Sequence, residues 1–425
     1  MGFEGPIINK LNGGLGRTNP PGDASFGLVI SNPDALPSEV TAGQVAKLWS
    51  IKDAEALGIT PSYDSTNKML AHYHIDEFFR LAPDAELFVL FAGNKNQNEI
   101  CTMTLGASTI HDLILSEEAA RKIKYVAIVH NPDDEYEADT EDDNIDSTVL
   151  LAIPKAQAII DDLFANKIFI DGIMLDGRSF GIDALTTAPN LRLLNAGQVS
   201  VCIACDPLIR ALDAAYIGHS AIGSALGMLA VRQVNENLGS VDIKNKPAVK
   251  KGRRDYPLGN GIVWSTAILS GGKKVSTLTE SQQKNLTNLG YVFAGSYEGY
   301  AGIFFNSSPT CVEKASDYAY IENNRTWNKA ARIIRQVLIP KMKSTLKKDA
   351  SGNISASSAA GMEAIVNSAL KVQMVDEDEC SAAGCYINPA QSVSEENPLK
   401  VMVSIQVDDI IHSMEVDLGL TTQIS

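Results

Sequence analysis

Four groups of residues in this 425-residue chain have types and spacings that could do chemistry. The first is Lys10-Leu11-Asn12-Gly13-Gly14-Leu15-Gly16. A glycine-rich run lets backbone N–H groups close on a phosphate, provided a buried strand leads in and a helix leads out. Only nine residues precede the run, two Gly and one Pro among them. Arg17-Thr18-Asn19-Pro20-Pro21-Gly22 follows and cannot start a helix. The second group is Cys202-x-x-Cys205 within QVSVCIACDP. Two thiols at that spacing serve redox or zinc chemistry, yet no second pair and no histidine stands at zinc spacing. The apolar, β-branched surroundings predict a buried strand, and the six scattered cysteines suit a reducing cytoplasm. The third is His72 and His74, flanking Tyr73 with Asp76 and Glu77 close by. Helix positions two apart point in different directions, so a helix surface is expected rather than a metal site. The fourth is the acidic loop 133–146. It lacks the ordered D-x-D-x-D-G spacing ending in Glu that calcium needs, and is expected to be solvated.

No nucleophile–base–acid set stands out among six histidines, and no G-x-S-x-G occurs. No G-x-x-x-x-G-K-[ST] occurs either, so no nucleotide fuel is indicated. The expectation is a protein that is not an enzyme and has no catalytic residue, cofactor or resident metal. A net charge of −15 argues against direct nucleic-acid binding and favours solubility at high concentration. No apolar run reaches bilayer length, so no membrane insertion is expected. The first residues also lack the basic and apolar regions of a secretory signal.

Both ends read as arms. Residues 1–25 carry six Gly and three Pro, too few apolar residues for a core, and should be extended. At the other end, Met414, Val416, Leu418 and Leu420 alternate with Glu415, Asp417 and Gly419. That period of two marks a strand with one apolar edge, and a terminal strand needs a sheet to join. Charge is uneven as well. Residues 323–348 hold eight Lys/Arg and no acid, whereas 376–425 hold ten Asp/Glu and one Lys. The two stretches could pair within the fold, pair between copies, or simply be solvated.

Between the arms, strands are expected at 26–31, 86–92, 124–129 and 199–204. Helices are expected at 41–57, 67–81, 108–115, 117–122, 147–166, 211–231 and 279–289. Strand and helix alternate through 86–231, which implies an α/β layer with parallel pairing. A hairpin is expected from 291–295 and 302–306. The C-terminal part reads as α+β: an amphipathic helix at 324–339 stopped by Pro340, a second helix at 358–370, and strands at 372–376, 383–387 and 400–407. The expected organisation is multidomain, with an arm at 1–25, an inner region at 26–85, an inserted α/β outer region at 86–310, a C-terminal core at 311–411 and a strand-donating arm at 412–425.

Two resemblances follow. The run Lys10–Gly16 is similar to the nucleotide loop of UDP-sugar pyrophosphorylases, which would imply a nucleotidyltransferase. Tyr320-Ile321-Glu322-Asn323-Asn324-Arg325-Thr326-Trp327-Asn328-Lys329-Ala330, Asn388-Pro389 and the strand 401–407 resemble the contractile phage tail sheath proteins. The nearer likeness is to a divergent branch from phages and prophages of gut-type anaerobic bacteria. It covers about the last 110 residues and also extends to contractile injection systems.

The sheath resemblance implies a core domain built from both chain ends, with outer domains inserted between them. It implies a helical homopolymer of stacked rings around a tail tube protein, bounded by baseplate and tail terminator proteins. Such a polymer would sit in a virion tail, be assembled in the host bacterial cytoplasm, and contract to drive the tube through an envelope. Terminal arms would add strands to neighbouring subunits, with Ile7, Ile8, Leu11, Leu15, Met414, Val416, Leu418 and Leu420 as the arm residues. Arg325, Lys329, Arg332 and Arg335 facing Asp408, Asp409, Glu415 and Asp417 are the candidate inter-subunit charge contacts. Another virion or adhesion protein with strand-swapped arms remains the further alternative.

Overall fold

Ser25–Ile30 (β1, SFGLVI) is buried at every position and holds a central place in a seven-stranded sheet. The computed structural model describes residues 23–420 apart from 34, 141–143, 182–186 and 260. The expected arm residues Ile7, Ile8, Leu11 and Leu15, and the run Lys10–Gly16, lie outside the described residues. The chain divides into two compact units, Met1–Lys329 and Ala330–Ser425.

In the first unit, β1 is followed by β2 (Val45–Leu48), β3 (Glu86–Phe91), β4 (Tyr125–Val129), β5 (Gly172–Asp176) and β6 (Val199–Cys202). A short antiparallel pair, β7 (Ala204–Cys205) with β8 (Ile268–Leu269), stands apart, and β9 (Tyr291–Val292) returns to the sheet beside β6. The order is β2-β3-β1-β4-β5-β6-β9, parallel except for β2. Strands β1, β3, β4 and β5 are buried at every residue, as expected for a parallel sheet covered on both faces. Because β1 lies between β3 and β4, residues 26–85 and 86–310 share one sheet. The two compact units divide after Lys329. The hairpin expected near 300 is β10 (Ala294–Gly295) with β11 (Phe304–Phe305), whereas β9 leaves it for the main sheet.

Several expected helices are shorter than their periodicity suggested. Within 41–57, Val45–Leu48 pairs antiparallel with Leu87–Leu90, and only α1 (Ile51–Ala56) is helical. Strand pairing there overrides local propensity. Residues 67–81 form the end of α2 (Pro61–Asn67) and all of α3 (Ala71–Leu81), broken at Lys68, whose φ is +50°. Buried Asp64 explains the restart. Its carboxylate accepts the N–H groups of Ala71, His72 and Tyr73, each at 3.0 Å, and so caps α3 from the preceding helix. Further along come α4 (Gln97–Ile100), α5 (Ile110–Leu115) and α6 (Ser147–Ala165), while 117–122 is turns rather than helix. The long helix expected over 211–231 is also cut. After α7 (Pro207–Arg210), a 3-10 turn and Gly218 (φ +89°) precede α8 (Ile222–Val231). Helix α9 (Glu280–Leu289) is capped by Thr279 and buries Leu286, and Leu278 is buried just before it.

Helix α8 is buried along nearly its whole length and packs on α3. Gly223 makes the approach possible: a Cβ there would lie 2.1 Å from the His74 carbonyl oxygen. Gly223→Ala is therefore expected to destabilise the fold by about 1–3 kcal/mol through overpacking. Urea denaturation measures this, and an unchanged midpoint would refute the close approach.

Helix α10 (Ile321–Leu338) spans the unit boundary and ends before Pro340. In the second unit, Ala330 and Ile333 are buried, with Ile334, Val337 and Leu338 partly so. Helix α11 (Ala356–Leu370) continues into a π turn over Lys371–Val375, where a strand was expected. Helical winding buries Met374 and leaves Val372 exposed. Among its described residues the unit therefore has two helices and one hairpin, β12 (Ala382–Tyr386) with β13 (Met402–Gln406), rather than three strands.

Candidate functional site: a sealed crevice and an open strand edge

In open α/β sheets, ligands bind beyond the carboxyl ends of the strands, where the strand order reverses. That point here lies between β1 and β4, and the chain fills it with its own polar groups. Ser31 Oγ donates to the Asn131 carbonyl (3.0 Å) and accepts from Asn131 N–H (2.7 Å). Asn131 Nδ2 donates to the Ser31 carbonyl, and its Oδ1 takes the Leu70 N–H. Asn32 Oδ1 accepts the Gly93 N–H at 2.8 Å. All three side chains are buried, so this crevice is a structural seam.

Beside the seam, at the end of β5, lies a buried polar centre. Asp176 accepts from the Ser220 hydroxyl (2.6 Å) and the Ser220 N–H (3.1 Å). Arg178 donates to the carbonyls of His130 and Ile217. Burial pushes Asp176 up to about 6 and His130 down to about 3. His219 donates to the Tyr216 carbonyl from Nδ1 (2.6 Å), and its Nε2 lies 3.6 Å from Cys205 Sγ. Burial pushes His219 down to about 4, raises Cys205, and raises Cys202 to about 12. The two thiols stay protonated and buried, in keeping with the expected core strand and unlike a reactive dithiol.

His74 departs from the expected helix surface. It is fully buried, and its Nδ1 accepts the Gly223 N–H at 3.1 Å. Among the described residues, no group of three His, Cys, Asp or Glu could hold a metal ion. In the acidic loop, Asp133 accepts from Asn94, Asp134 lies 3.5 Å from Lys68, and Asp146 caps α6.

The second unit offers a different kind of site. In the hairpin, Ala383, Cys385, Val403 and Ile405 pack on the small core, while Tyr386, Met402, Ser404 and Gln406 face outward. Helix α11 closes parts of the β12 edge: Asn367 Oδ1 accepts the Cys385 N–H, and Glu363 Oε1 accepts the Ile387 N–H, both at 2.7 Å. Among the described residues no third strand joins the hairpin. A two-stranded ribbon is marginal alone and gains from a third strand. The segment 407–420 forms no strand among the described residues. Met414, Val416, Leu418 and Leu420 are 78%, 79%, 91% and 104% exposed.

The candidate charge residues separate by burial. Arg325 is 1% exposed. It donates to the Arg232 and Gln233 carbonyls and lies 4.0 Å from buried Asp171, so it is an internal residue and not a surface contact. Lys329 pairs with Asp23 at 2.8 Å. Arg332 and Asp408 are half-buried, with Asp408 accepting from Ser381, and Arg335, Asp409, Glu415 and Asp417 are exposed. The sequence offered no sign of the seam, because lone Ser and Asn residues after strands look like ordinary turn formers.

Comparison with known proteins fits this architecture. Residues 3–309 match the family described as DUF2586, N-terminal domain, and residues 317–425 match DUF2586, C-terminal domain. No curated protein matches the sequence. A chain of the anti-feeding prophage helical sheath in its contracted state superposes with a TM-score of 0.58 at 13% identity, over 100% of both chains. A chain of the 6-fold symmetrised anti-feeding prophage baseplate gives 0.57 at 14% identity, over 99% of this chain and 100% of that one. A chain of the PVC sheath complex, an extracellular contractile injection system in its contracted state, gives 0.56 at 11%, over 99% and 98%.

Proposed function

We propose that this chain, which belongs to the DUF2586 family and has the fold of contractile sheath subunits, is the structural tail sheath subunit of a contractile machine. The observation that carries this reading is the pairing of an open β13 edge with an exposed, alternating tail on the same chain. Strand addition supplies main-chain hydrogen bonds for affinity and alternate side chains for register. A donor segment and an acceptor edge on different parts of one subunit make a heterologous contact, which builds a ring where the rotation closes and a helical polymer where it does not. In this reading the tail joins a neighbour beside β13, with the N-terminal segment as its counterpart. The partners are further copies of the chain, a tail tube protein, and baseplate and tail terminator proteins. The polymer sits in a virion tail, is assembled in the host bacterial cytoplasm, and contracts to drive the tube through a bacterial envelope. Energy for contraction comes from burial and charge pairing summed over many copies, with no catalytic step.

With Arg325 internal, the candidate charge contacts are Lys329, Arg332 and Arg335 with Asp408, Asp409, Glu415 and Asp417. Reversing Arg332 and Arg335 to Glu is expected to weaken assembly more at low salt than at high salt, because exposed pairs are screened. Sedimentation yield across a salt series measures this, and an unchanged yield would remove these residues from the interface.

A nucleotidyltransferase is not favoured. The sheet's switch-point crevice, where a nucleotide would sit, is filled by Ser31, Asn32 and Asn131. Electron microscopy of the purified chain, alone and with tube and baseplate proteins, tests the proposal. Hollow tubes are the expected result. Persistent monomers under all these conditions would refute it, and a polymer without a lumen would favour another strand-swapped virion protein.

A further inference from the structure

Three aromatic side chains of the first unit, Phe164, Tyr318 and Trp327, stand together with 46%, 41% and 39% of their surface exposed. The Trp327 ring centre lies 5.9 Å from that of Phe164 and 6.5 Å from that of Tyr318. Half-buried Phe169 extends the patch, 5.6 Å from Phe164. Phe164 belongs to the last turn of α6 and Trp327 to α10. Two asparagines of α10 fix this arrangement. Asn328 Nδ2 donates to the Ile170 carbonyl at 2.9 Å, next to Phe169. Asn324 Nδ2 donates to the carbonyls of Gly197 (2.7 Å) and Tyr318 (3.2 Å). The loop after α6, the turn before α10 and α10 itself are thus locked together, so the patch is set before anything covers it.

Size limits what can cover it. An aromatic side chain presents ~150–250 Å², so at this exposure the patch offers on the order of 300 Å². Apolar patches of that size on a monomer are often functional. It falls well short of the ~800 Å² per partner of a standard interface between globular proteins, and suits a short peptide segment. The chain brings such a segment to the place. Asp23, where the described chain begins, pairs with Lys329 at 2.8 Å, two residues after Trp327 on α10. Residues 1–22 therefore join the fold at the helix that carries the patch. Leu15 precedes Asp23 by eight residues, and an extended chain of that length reaches up to roughly 26 Å. That is about twice the ~10–12 Å width of a helix. Ile7, Ile8, Leu11 and Leu15 supply large aliphatic side chains, and Lys10 and Arg17 supply cations that ring faces attract.

We propose that in the free subunit the chain's own residues 7–15 dock on this patch, with Ile7, Ile8, Leu11 and Leu15 against Phe164, Tyr318 and Trp327. The tether through Asp23 makes the contact intramolecular, and a short linker supplies an effective concentration in the millimolar range, so weak intrinsic affinity suffices. A second copy fits less well, because a globular face needs more area and a neighbour's segment lacks the tether. The proposal concerns the single subunit and holds whether or not the chain polymerises. In a polymerising chain, it withholds the segment from other copies until a neighbour outcompetes the patch.

Photocrosslinking of the full chain tests it, at a concentration where sedimentation shows monomers. Phe164→p-benzoylphenylalanine places the reactive ketone in the patch, and Tyr318→p-benzoylphenylalanine replaces it if the first variant fails to fold. Mass spectrometry is expected to find the crosslink within residues 1–22, in a product of monomer mobility. Ile7→Asp, Leu11→Asp and Leu15→Asp combined should abolish that crosslink with an unchanged thermal melt. A second readout is the emission of Trp327, taken as the difference between the parent and Trp327→Phe. It is expected to shift to the red, and to be quenched more strongly by acrylamide, in the triple Asp variant. Absence of a crosslink to residues 1–22 would overturn the proposal, as would Trp327 emission that ignores the triple variant. A crosslinked product of dimer mobility would also overturn it and assign the patch to a second copy.

Discussion

Removal of residues 413–425 is expected to leave a subunit that melts like the full chain yet forms no long tubes. Stability should hold because the described part of this segment is exposed and lies in no strand. Changes at such positions usually stay within about 0.5 kcal/mol. Under the proposed strand donation assembly should fail, because one donated strand would carry much of the link between copies. Each main-chain hydrogen bond contributes about 0.5–1.5 kcal/mol net. Burying Met414, Val416, Leu418 or Leu420 adds roughly 1.5–3 kcal/mol apiece before the cost of ordering the tail. Electron microscopy and sedimentation give the readout. Tubes of normal length from the truncated chain would remove strand donation from the mechanism.

Arg325→Met is expected to produce the opposite phenotype, a severe loss of stability. The side chain is buried, spans to the carbonyls of Arg232 and Gln233, and faces buried Asp171. Its loss leaves two carbonyls without their donor and takes a positive charge from beside Asp171, which costs about 1–3 kcal/mol or more. Denaturant unfolding should show a large drop in midpoint at constant slope. Arg335→Glu, on the exposed side of the same helix, should leave that midpoint unchanged. Equal stability of the Arg325 variant and the parent would return Arg325 to the list of assembly contacts.

The contrast between these two arginines shows what the sequence could and could not reveal. Both lie in a basic, amphipathic stretch, and local pattern gives no reason to separate them. The difference comes from Asp171 and from the carbonyls after α8, far away in the chain. Strands β1, β3 and β4 were legible because each is a short apolar run bounded by polar or turn residues. Helices α6, α10 and α11 were legible from their length and apolar spacing. Strand β2 was not, because its pairing with β3 is a tertiary choice. The restart of α3 was hidden too, since its cap comes from Asp64, seven residues earlier. The π turn after α11 read as a strand because Val372, Met374 and Val375 are β-formers or adaptable apolar residues. Of the site, the tail's alternation was visible, but its acceptor was only partly so. Which hairpin edge stays open depends on Asn367 and Glu363 reaching across from α11.

The alternation of the tail has a further consequence for a chain made in many copies at once. Four exposed apolar side chains in a row are an aggregation hazard before assembly begins. Glu415 and Asp417 stand between them. In-register pairing of two identical tails would set carboxylate beside carboxylate, which is unfavourable. Strand β13, by contrast, reads Met-Val-Ser-Ile-Gln and carries no charge. If the proposed strand donation holds, the tail would be repelled by its own kind and tolerated by the edge it joins, so the same two acids would both keep free subunits apart and direct them to the correct neighbour.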